Sequence, residues 1–421
     1  MKKKLKNINR LLLFLSTSIF LLLTISSCDR IKSYEWTILV YMAADNGLSD
    51  AALSDLNEME AANFDEDKIK ILVLTDLLDT PTQERHYEDS RIFDIHHDDD
   101  KENVTSPVFK YEGEYDSGNY NTLVDFANWG FSKYPSLHKA LFIWSHGNGW
   151  YSYYDKFCID HSSGSFFNIP NGDLKNAFDK ISSKVEILGL DACNMQCLEV
   201  LTEIKDNVYY TISSETEIPS DGFPYDDIFT NWVTYLTAKT QSIQIGENIY
   251  SSYLPGGSQN IFSSYIHFSV SSIEIWKYNK FLADLKIFLN GNLEEIKSEI
   301  IAARDNCYTD FIDMDYASQI DILDFFKNLL DELNNKNEFQ DKVDAIIDDL
   351  EKIFIYHNQI ELSYKVGYAT VWFPTNYSTY LAMLSDYSKL EFFKTGWNNI
   401  LELYFSNNVD KKSKENFVKT Q

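Results

Sequence analysis

Cysteine is scarce in this chain: there are five in 421 residues, at positions 28, 158, 193, 197 and 307. That is too few, and too dispersed, for the disulfide scaffold of a small secreted domain, so a large apolar core must hold the fold. Cys193 and Cys197 stand four apart, but no Cys or His cluster elsewhere completes a four-ligand zinc site. Basic residues are short as well, 37 Lys and Arg against 64 Asp and Glu, which leaves a net charge of −27. Such a balance opposes attraction to nucleic acid and to anionic lipid, and it reads as a solvated, mutually repelling surface. The chain has no internal repeat, no low-complexity linker and no Gly-x-Ser-x-Gly around Ser145 that would make this serine a hydrolase nucleophile.

A membrane-spanning run is missing too. The apolar stretch Leu11 to Ile25 is short for a span and contains Ser16, Thr17 and Ser18. Lys2, Lys3, Lys4 and Arg10 precede it, and Ser26, Ser27 and Cys28 follow, which is the pattern of a signal peptide. Ile25-Ser26-Ser27-Cys28 also resembles a bacterial lipobox, whose cysteine becomes the lipid-bearing first residue after cleavage. The expectation is a signal peptide over residues 1–27 and a lipidated tether over 28–35, with Cys28 as the lipidation site. Such a protein would reside in the bacterial cell envelope, anchored on the periplasmic side or at the cell surface.

What is present places the remainder among globular proteins, since hydrophobic residues make up 44% and aromatics 15%. Trp36 to Met42, Ile69 to Thr75, Lys139 to Trp144, Val185 to Leu190 and Tyr209 to Ser213 are the apolar runs of buried strands. Helical spacing fills the intervals, over Leu48 to Ala62, Asn121 to Tyr134, Leu174 to Ile181 and Met195 to Ile204. The polar region 79–116 is expected to hold hairpins or an insertion, and 149–172 a long loop. Strand and helix alternate, which implies an α/β fold with a mostly parallel central sheet and helices on both faces.

This core, over residues 36–230, is followed by a helical region over 231–408 and a charged tail over 409–421 that is expected to fray. Helices are predicted at Glu274 to Phe288, Leu293 to Arg304, Ile320 to Leu333 and Asp341 to His357, with strands at Ser264 to Val270 and Gly367 to Pro374. The region is either a domain of its own or an addition to the first sheet.

Two of the predicted strands run into reactive residues. Leu141 to Trp144 leads to Ser145-His146-Gly147, and Val185 to Leu190 leads to Asp191-Ala192-Cys193, 47 positions later. In an open α/β sheet ligands bind at the carboxyl ends of parallel strands, and neighbouring strands lie about 5 Å apart. A thiolate is the nucleophile of cysteine chemistry, and a nearby imidazole or a helix N-terminus helps to generate it. His146 would relay that proton to the leaving amine, and a helix from Met195 would begin just beyond Cys193. Gly147 leaves room for the substrate, and its backbone N–H could join that of Cys193 in an oxyanion hole. On that helix Cys197 would face the same side as Cys193, as a small core residue. His161 competes for the base role but follows no strand, and His96 and His97 beside Asp98 to Asp100 read as a polar surface loop rather than a metal site.

Ser145-His146-Gly147 after one strand and Asp191-Ala192-Cys193 after the next resemble the clostripain family of cysteine peptidases, relatives of caspases, gingipains and legumains. Trp36 to Leu48, Ser213 to Tyr225, Ile312 to Phe325 and Gly367 to Pro374 carry the likeness over most of the mature chain. It implies a caspase-like α/β/α sandwich with a helical C-terminal region, a Cys193–His146 dyad and cleavage of peptides after Arg or Lys. The acid two places before the nucleophile, Asp191, would then line the S1 pocket, where a carboxylate can pair with a basic side chain. The other reading of Asp191 is an N-cap for the following helix.

No cofactor is required for such chemistry, but some members are calcium-dependent and mature by self-cleavage between the histidine and the cysteine. Lys156 is the leading processing candidate, ahead of Lys175 and Lys180. Calcium stays a candidate, with no metal ligands assigned. The chain departs from the family in Ile218 to Phe223, and Glu215, Glu217 and Asp221 read there as solvated loop carboxylates. The alternative to an enzyme is a binding or scaffold lipoprotein that keeps the fold without activity.

Overall fold

The computed structural model describes residues 32–78, 90–101, 103–111, 113–151, 156–259, 268–307, 319–360 and 367–406. The signal peptide, the lipobox with Cys28 and the tail expected over 409–421 lie outside the described residues. A compact unit starts at Tyr34, and of the 33 residues before it only Lys32 and Ser33 are described.

The described strands are β1 (Tyr34–Ala44), β2 (Ile69–Leu77), β3 (Arg91–Asp94), β4 (Val108–Tyr111), β5 (Ser136–Trp144), β6 (Val185–Asp191), β7 (Val208–Ser213), β8 (Phe268–Glu274), β9 (Gln319–Asp321), β10 (Phe354–Ile360) and β11 (Thr370–Trp372). Nine of them form one sheet in the order β10-β8-β7-β6-β5-β1-β2-β3-β4. The five central strands are parallel, with β1 between β2 and β5, and β6 between β5 and β7. Both edges are antiparallel: β3 and β4 extend the sheet beyond β2 as a hairpin, and β8 and β10 extend it beyond β7.

The helices are α1 (Ser49–Ala61), α2 (Tyr120–Lys133), α3 (Asp173–Lys180), α4 (Leu198–Ile204), α5 (Tyr225–Thr230), α6 (Ala238–Ser252), α7 (Ile275–Leu289), α8 (Lys297–Asp305), α9 (Ile322–Glu332), α10 (Asn337–Ile353) and α11 (Tyr377–Tyr387). Alternation along β1 decides which helices lie on which face. Leu39, Tyr41 and Ala43 join one core with α2, α3, α4 and the C-terminal helices, while Ile38, Val40 and Met42 join another with α1, α5 and α6. A strand whose successive residues enter two cores must be apolar throughout, which is why the run was legible as a central strand. The result is an α/β/α sandwich with a mostly parallel centre.

Two later segments differ from the periodicity. The helix expected to reach His357 ends at Ile353, and the chain continues as β10, pairing with β8. The strand expected over Ser264 to Val270 is described from Phe268 and continues to Glu274, with 264–267 outside the described residues. In both places the hydrogen bonds offered by a sheet edge override local spacing. Gly367 to Pro374 supplies only β11, which pairs with β9 in a separate two-stranded sheet.

Candidate active site

β5 and β6 are adjacent and parallel, with Trp144 opposite Asp191 at their paired ends. His146 and Cys193 each stand two residues beyond that pair, so register alone brings both to one sheet edge. The backbone N–H of Ser145 donates to the Asp191 carbonyl at 3.1 Å and carries the pairing one step further. Both residues are partly exposed and line one cleft of about 310 Å³, together with Trp144, Gly147, Asp191, Glu217 and Ile218. The close approach requires glycine at 147. A Cβ there would lie 2.7 Å from the Cys193 carbonyl oxygen, 2.8 Å from the Ala192 Cβ and 3.1 Å from the Cys193 nitrogen.

The sulfur faces the loop after β7. Cys193 Sγ accepts from the Ile218 N–H at 3.2 Å and donates to the Ile218 carbonyl at 3.7 Å. The same backbone unit thus offers a donor to the thiolate and an acceptor to the thiol.

Asp191 forms the base of the cleft. It is buried, and its Oδ2 accepts from the Phe223 N–H at 3.1 Å and the Tyr225 hydroxyl at 3.0 Å. Burial pushes its carboxyl up to about 7, with these two bonds working against the rise. Behind it lies Asp55 of α1, also buried, whose Oδ2 accepts from Trp144 Nε1 at 2.6 Å. Burial first, and the Asp191 charge second, hold Asp55 well above the usual carboxylate range. Glu58, one turn along α1, accepts from the Tyr225 N–H and is pushed up to about 8, chiefly by burial. Two carboxyls of α1 therefore stand behind the lining residue Asp191, a layer the sequence reading did not anticipate. The signal was there: Asp55 and Glu58 flank the core positions Ala52, Leu56 and Met59 of one helix.

Residues 40–404 match the sequence profile of the clostripain family. The chain belongs to the clostripain family. It is similar in fold to a secreted cysteine protease from Bacteroides thetaiotaomicron solved with an irreversible peptide inhibitor, at TM-score 0.62 and 21% identity over 85% of this chain and 99% of that one. It is similar too to an inactive zymogen protease from Parabacteroides distasonis, at TM-score 0.61 and 20% identity over 87% and 99% of the two chains. Comparison with curated proteins by sequence returned no match. As a clostripain-family protein the chain is a cysteine endopeptidase, a chemistry that needs no cofactor.

Within this clostripain-family fold, the surroundings of Cys193 differ from expectation in one respect. α4 begins at Leu198 with Cys197 as its N-cap, not at Met195, so no helix N-terminus abuts Cys193. Asn194 takes a left-handed φ of 60°, and residues 194–196 run beside the loop after β7, with the Asn194 N–H on the Thr216 carbonyl and the Gln196 N–H on the Ser214 carbonyl. Those bonds hold the segment out of helix. Cys197 is buried and bridges to Thr370 rather than stacking with Cys193 on a helix face. The same shift removes Asp191 from the N-cap position.

Gly149 has a purpose the sequence did not disclose. Its φ is +59°, and a Cβ would meet Gln319 Nε2 at 3.1 Å and the Asn194 carbonyl oxygen at 3.3 Å, so it turns the chain tightly against the segment after Cys193.

Of the loop carboxylates, Glu217 is exposed at the cleft and Asp221 is partly buried, whereas Glu215 is fully buried and pushed well up by desolvation and by Asp321. Glu215 is therefore not the solvated group the sequence suggested: the loop folds inward against the β9 side. His161 lies in an exposed turn, its N–H on the Asp45 carbonyl, and does not line the cleft. His96 pairs with Glu66 at 2.7 Å, and His97 Nδ1 is 3.2 Å from the Glu60 carbonyl. Lys156 rests its Nζ over the Phe166 ring at 4.0 Å, next to residues 152–155, which lie outside the described residues. Lys175 and Lys180 are on α3, where Lys175 pairs with Asp179 at 2.5 Å.

Proposed function

We propose that this protein is an exported, lipid-anchored peptidase that cleaves after Arg or Lys through Cys193 and His146. The observation that carries the reading is the shared cleft: a thiol and an imidazole at its rim and a buried carboxylate, Asp191, at its base. The Cys193 thiolate attacks the scissile carbonyl carbon, and the displaced electron pair goes to the carbonyl oxygen. The backbone N–H groups of Gly147 and Cys193 receive that oxyanion. The C–N bond then breaks as His146 donates its proton to the leaving amine, giving a thioester on Cys193. Water, losing a proton to His146, hydrolyses the thioester and restores the thiol. Asp191 selects a cationic side chain by charge pairing in a site sheltered from water.

Lipid attachment at Cys28 rests on the lipobox-like Ile25-Ser26-Ser27-Cys28 and puts the enzyme in the bacterial cell envelope. Self-cleavage after Lys156 rests on the position of this lysine in the loop between His146 and Cys193. Fluorogenic Arg, Lys and uncharged peptides, tested beside Cys193→Ala, decide the central claim. Turnover of the basic substrates alone, lost in the variant, is expected. No turnover of any of them, with or without calcium, would favour the inactive scaffold.

A further inference from the structure

Gly222 lines the cleft and has no side chain to close it. Its φ of +62° favours glycine, and a Cβ there would meet Asp55 Oδ2 at 3.1 Å and Asp191 Oδ2 at 3.3 Å. The two carboxyls therefore converge on one cleft-lining glycine, the first from α1 and the second from the end of β6. Trp144, which lines the cleft and stands opposite Asp191 in the sheet, also donates from Nε1 to Asp55 Oδ2. Asp55 thus bonds to one strand end and faces the other from behind the lining residues.

Up to the rim of the cleft, the groups packed against this pair are acidic or neutral. Glu58 lies one turn along α1 and accepts from Gln259 Nε2 and the Tyr225 N–H. Asp221 precedes Gly222, Asp226 follows Tyr225, and Tyr253 of α6 donates its hydroxyl to the Gly222 carbonyl at 2.6 Å. Asp191 is held by the Phe223 N–H and the Tyr225 hydroxyl, while His146 and Cys193 stand at the rim. All the donors to the three carboxyls are neutral. Among the described residues no Lys, Arg or His forms an ion pair with Asp55, Glu58 or Asp191.

Two buried carboxyls that meet without a cation hold one proton between them, because ionising both would leave like charges where water screens them little. Asp55 lies deeper and keeps that proton. Burial first and the Asp191 charge second hold it well above the usual carboxylate range, whereas Asp191 is pushed only up to about 7. A cation that enters beside Asp191 removes the repulsion that stops Asp55 from ionising.

We propose that Asp55 is a specificity-determining residue, a second carboxyl behind Asp191 that releases its proton when an Arg or Lys side chain enters the cleft. The proton passes to solvent, and the floor then holds two carboxylates and a cation, with the net charge of one carboxylate alone. Attraction from Asp55 is thus added to that of Asp191 only for a cationic side chain, and discrimination against uncharged residues rises without a new contact. This role rests on the reading of Asp191 as the S1 acid.

The test uses the full chain carrying Cys193→Ala, which takes the thiol proton out of the count, with n-butylguanidine as the probe of an arginine side chain. Isothermal titration at about pH 8, above the ordinary range of an imidazole, is run in two buffers of different ionisation enthalpy. It should show release of about half a proton per guanidine bound. From about pH 7.5 to 9 the affinity should keep rising, by roughly fivefold. Asp55→Asn keeps an acceptor for Trp144 and should release no proton, its affinity staying level over that range and equal to the parent's near pH 6. Glu58→Gln should release as the parent does, which separates Asp55 from the other carboxyl of α1. The uncharged isostere n-butylurea should release none.

Zero release by the parent overturns the role of Asp55 whether or not any variant folds, and equal release by parent and Asp55→Asn overturns it too. Release lost in Glu58→Gln but kept in Asp55→Asn would move the role to Glu58. Failure of the S1 reading has another signature: n-butylguanidine would not bind saturably, peptides would be cleaved without regard to charge, and this inference would fall with that reading. Saturable binding without proton release, in a chain whose native form cleaves after Arg or Lys, would leave the S1 reading standing and remove Asp55 alone.

Discussion

A methyl group on Gly147 would stand 2.7 Å from the carbonyl oxygen of Cys193, nearer than two such atoms can approach. The neighbouring atoms are backbone and the Ala192 Cβ, so no flexible side chain can swing away. Gly147→Ala must therefore part the two strand ends that carry His146 and Cys193. Peptide turnover should fall by roughly 100-fold for every substrate, whatever its charge, with the circular dichroism spectrum unchanged. A variant with parental kcat would remove the need for this close approach.

The S1 role proposed for Asp191 makes specificity depend on pH. Burial pushes its carboxyl up to about 7, and only the carboxylate would pair with a basic side chain. As pH falls below about 7, kcat/KM for Arg and Lys substrates should drop by about tenfold per unit beyond the fall seen with an uncharged substrate. Asp191→Ala should abolish cleavage after Arg and Lys while Cys193 remains alkylatable. Unchanged specificity would refute the S1 assignment.

Stability should also respond to pH, with an unusual sign. Glu199 accepts from the Trp372 N–H and is pushed up to about 7, mainly by burial. A carboxyl whose folded pKa is raised contributes stability that is fully present below its unfolded value, near 4, and lost as pH rises through about 7. Glu199→Gln keeps an acceptor for Trp372 but removes the proton dependence. Its Tm should equal the parent's near pH 4 and exceed it at pH 8, the parent losing up to about 1.4 kcal/mol per pH unit from this group in between. Parallel curves in a melting series would count against the assignment.

Self-processing should disappear in Lys156→Ala. Purified parent protein should show a fragment whose first residue is Phe157, by N-terminal sequencing, and neither Lys156→Ala nor Cys193→Ala should yield it. The same fragment from Cys193→Ala would assign the cut to another protease.

Labelled palmitate should enter the full chain in bacteria and be absent from Cys28→Ala, which should also partition away from membranes. Label that survives in the variant would sink the lipoprotein reading.

By itself the sequence determined the five central strands and the placing of His146 and Cys193 at one sheet edge. The runs through Trp36–Met42, Leu141–Trp144 and Ile187–Leu190 are apolar because they are buried on both faces, and that demand shows in any window of a few residues. His146 and Cys193 could be paired from sequence because each follows such a strand, and parallel neighbours deliver their carboxyl ends to one edge.

Only tertiary structure decided what surrounds them. Helix α4 starts at Leu198 because residues 194–196 bond to the loop after β7, a partner about 20 positions away that local spacing does not register. Asp55 reaches Asp191 from a helix on one face of the sheet, and Glu215 turns inward where its neighbours Glu217 and Asp221 do not. The four carboxylates Asp45, Asp76, Glu114 and Asp160 span more than 100 positions and share no motif. Composition could count those acids, but only the fold gathers them, because burial and proximity belong to the packed chain.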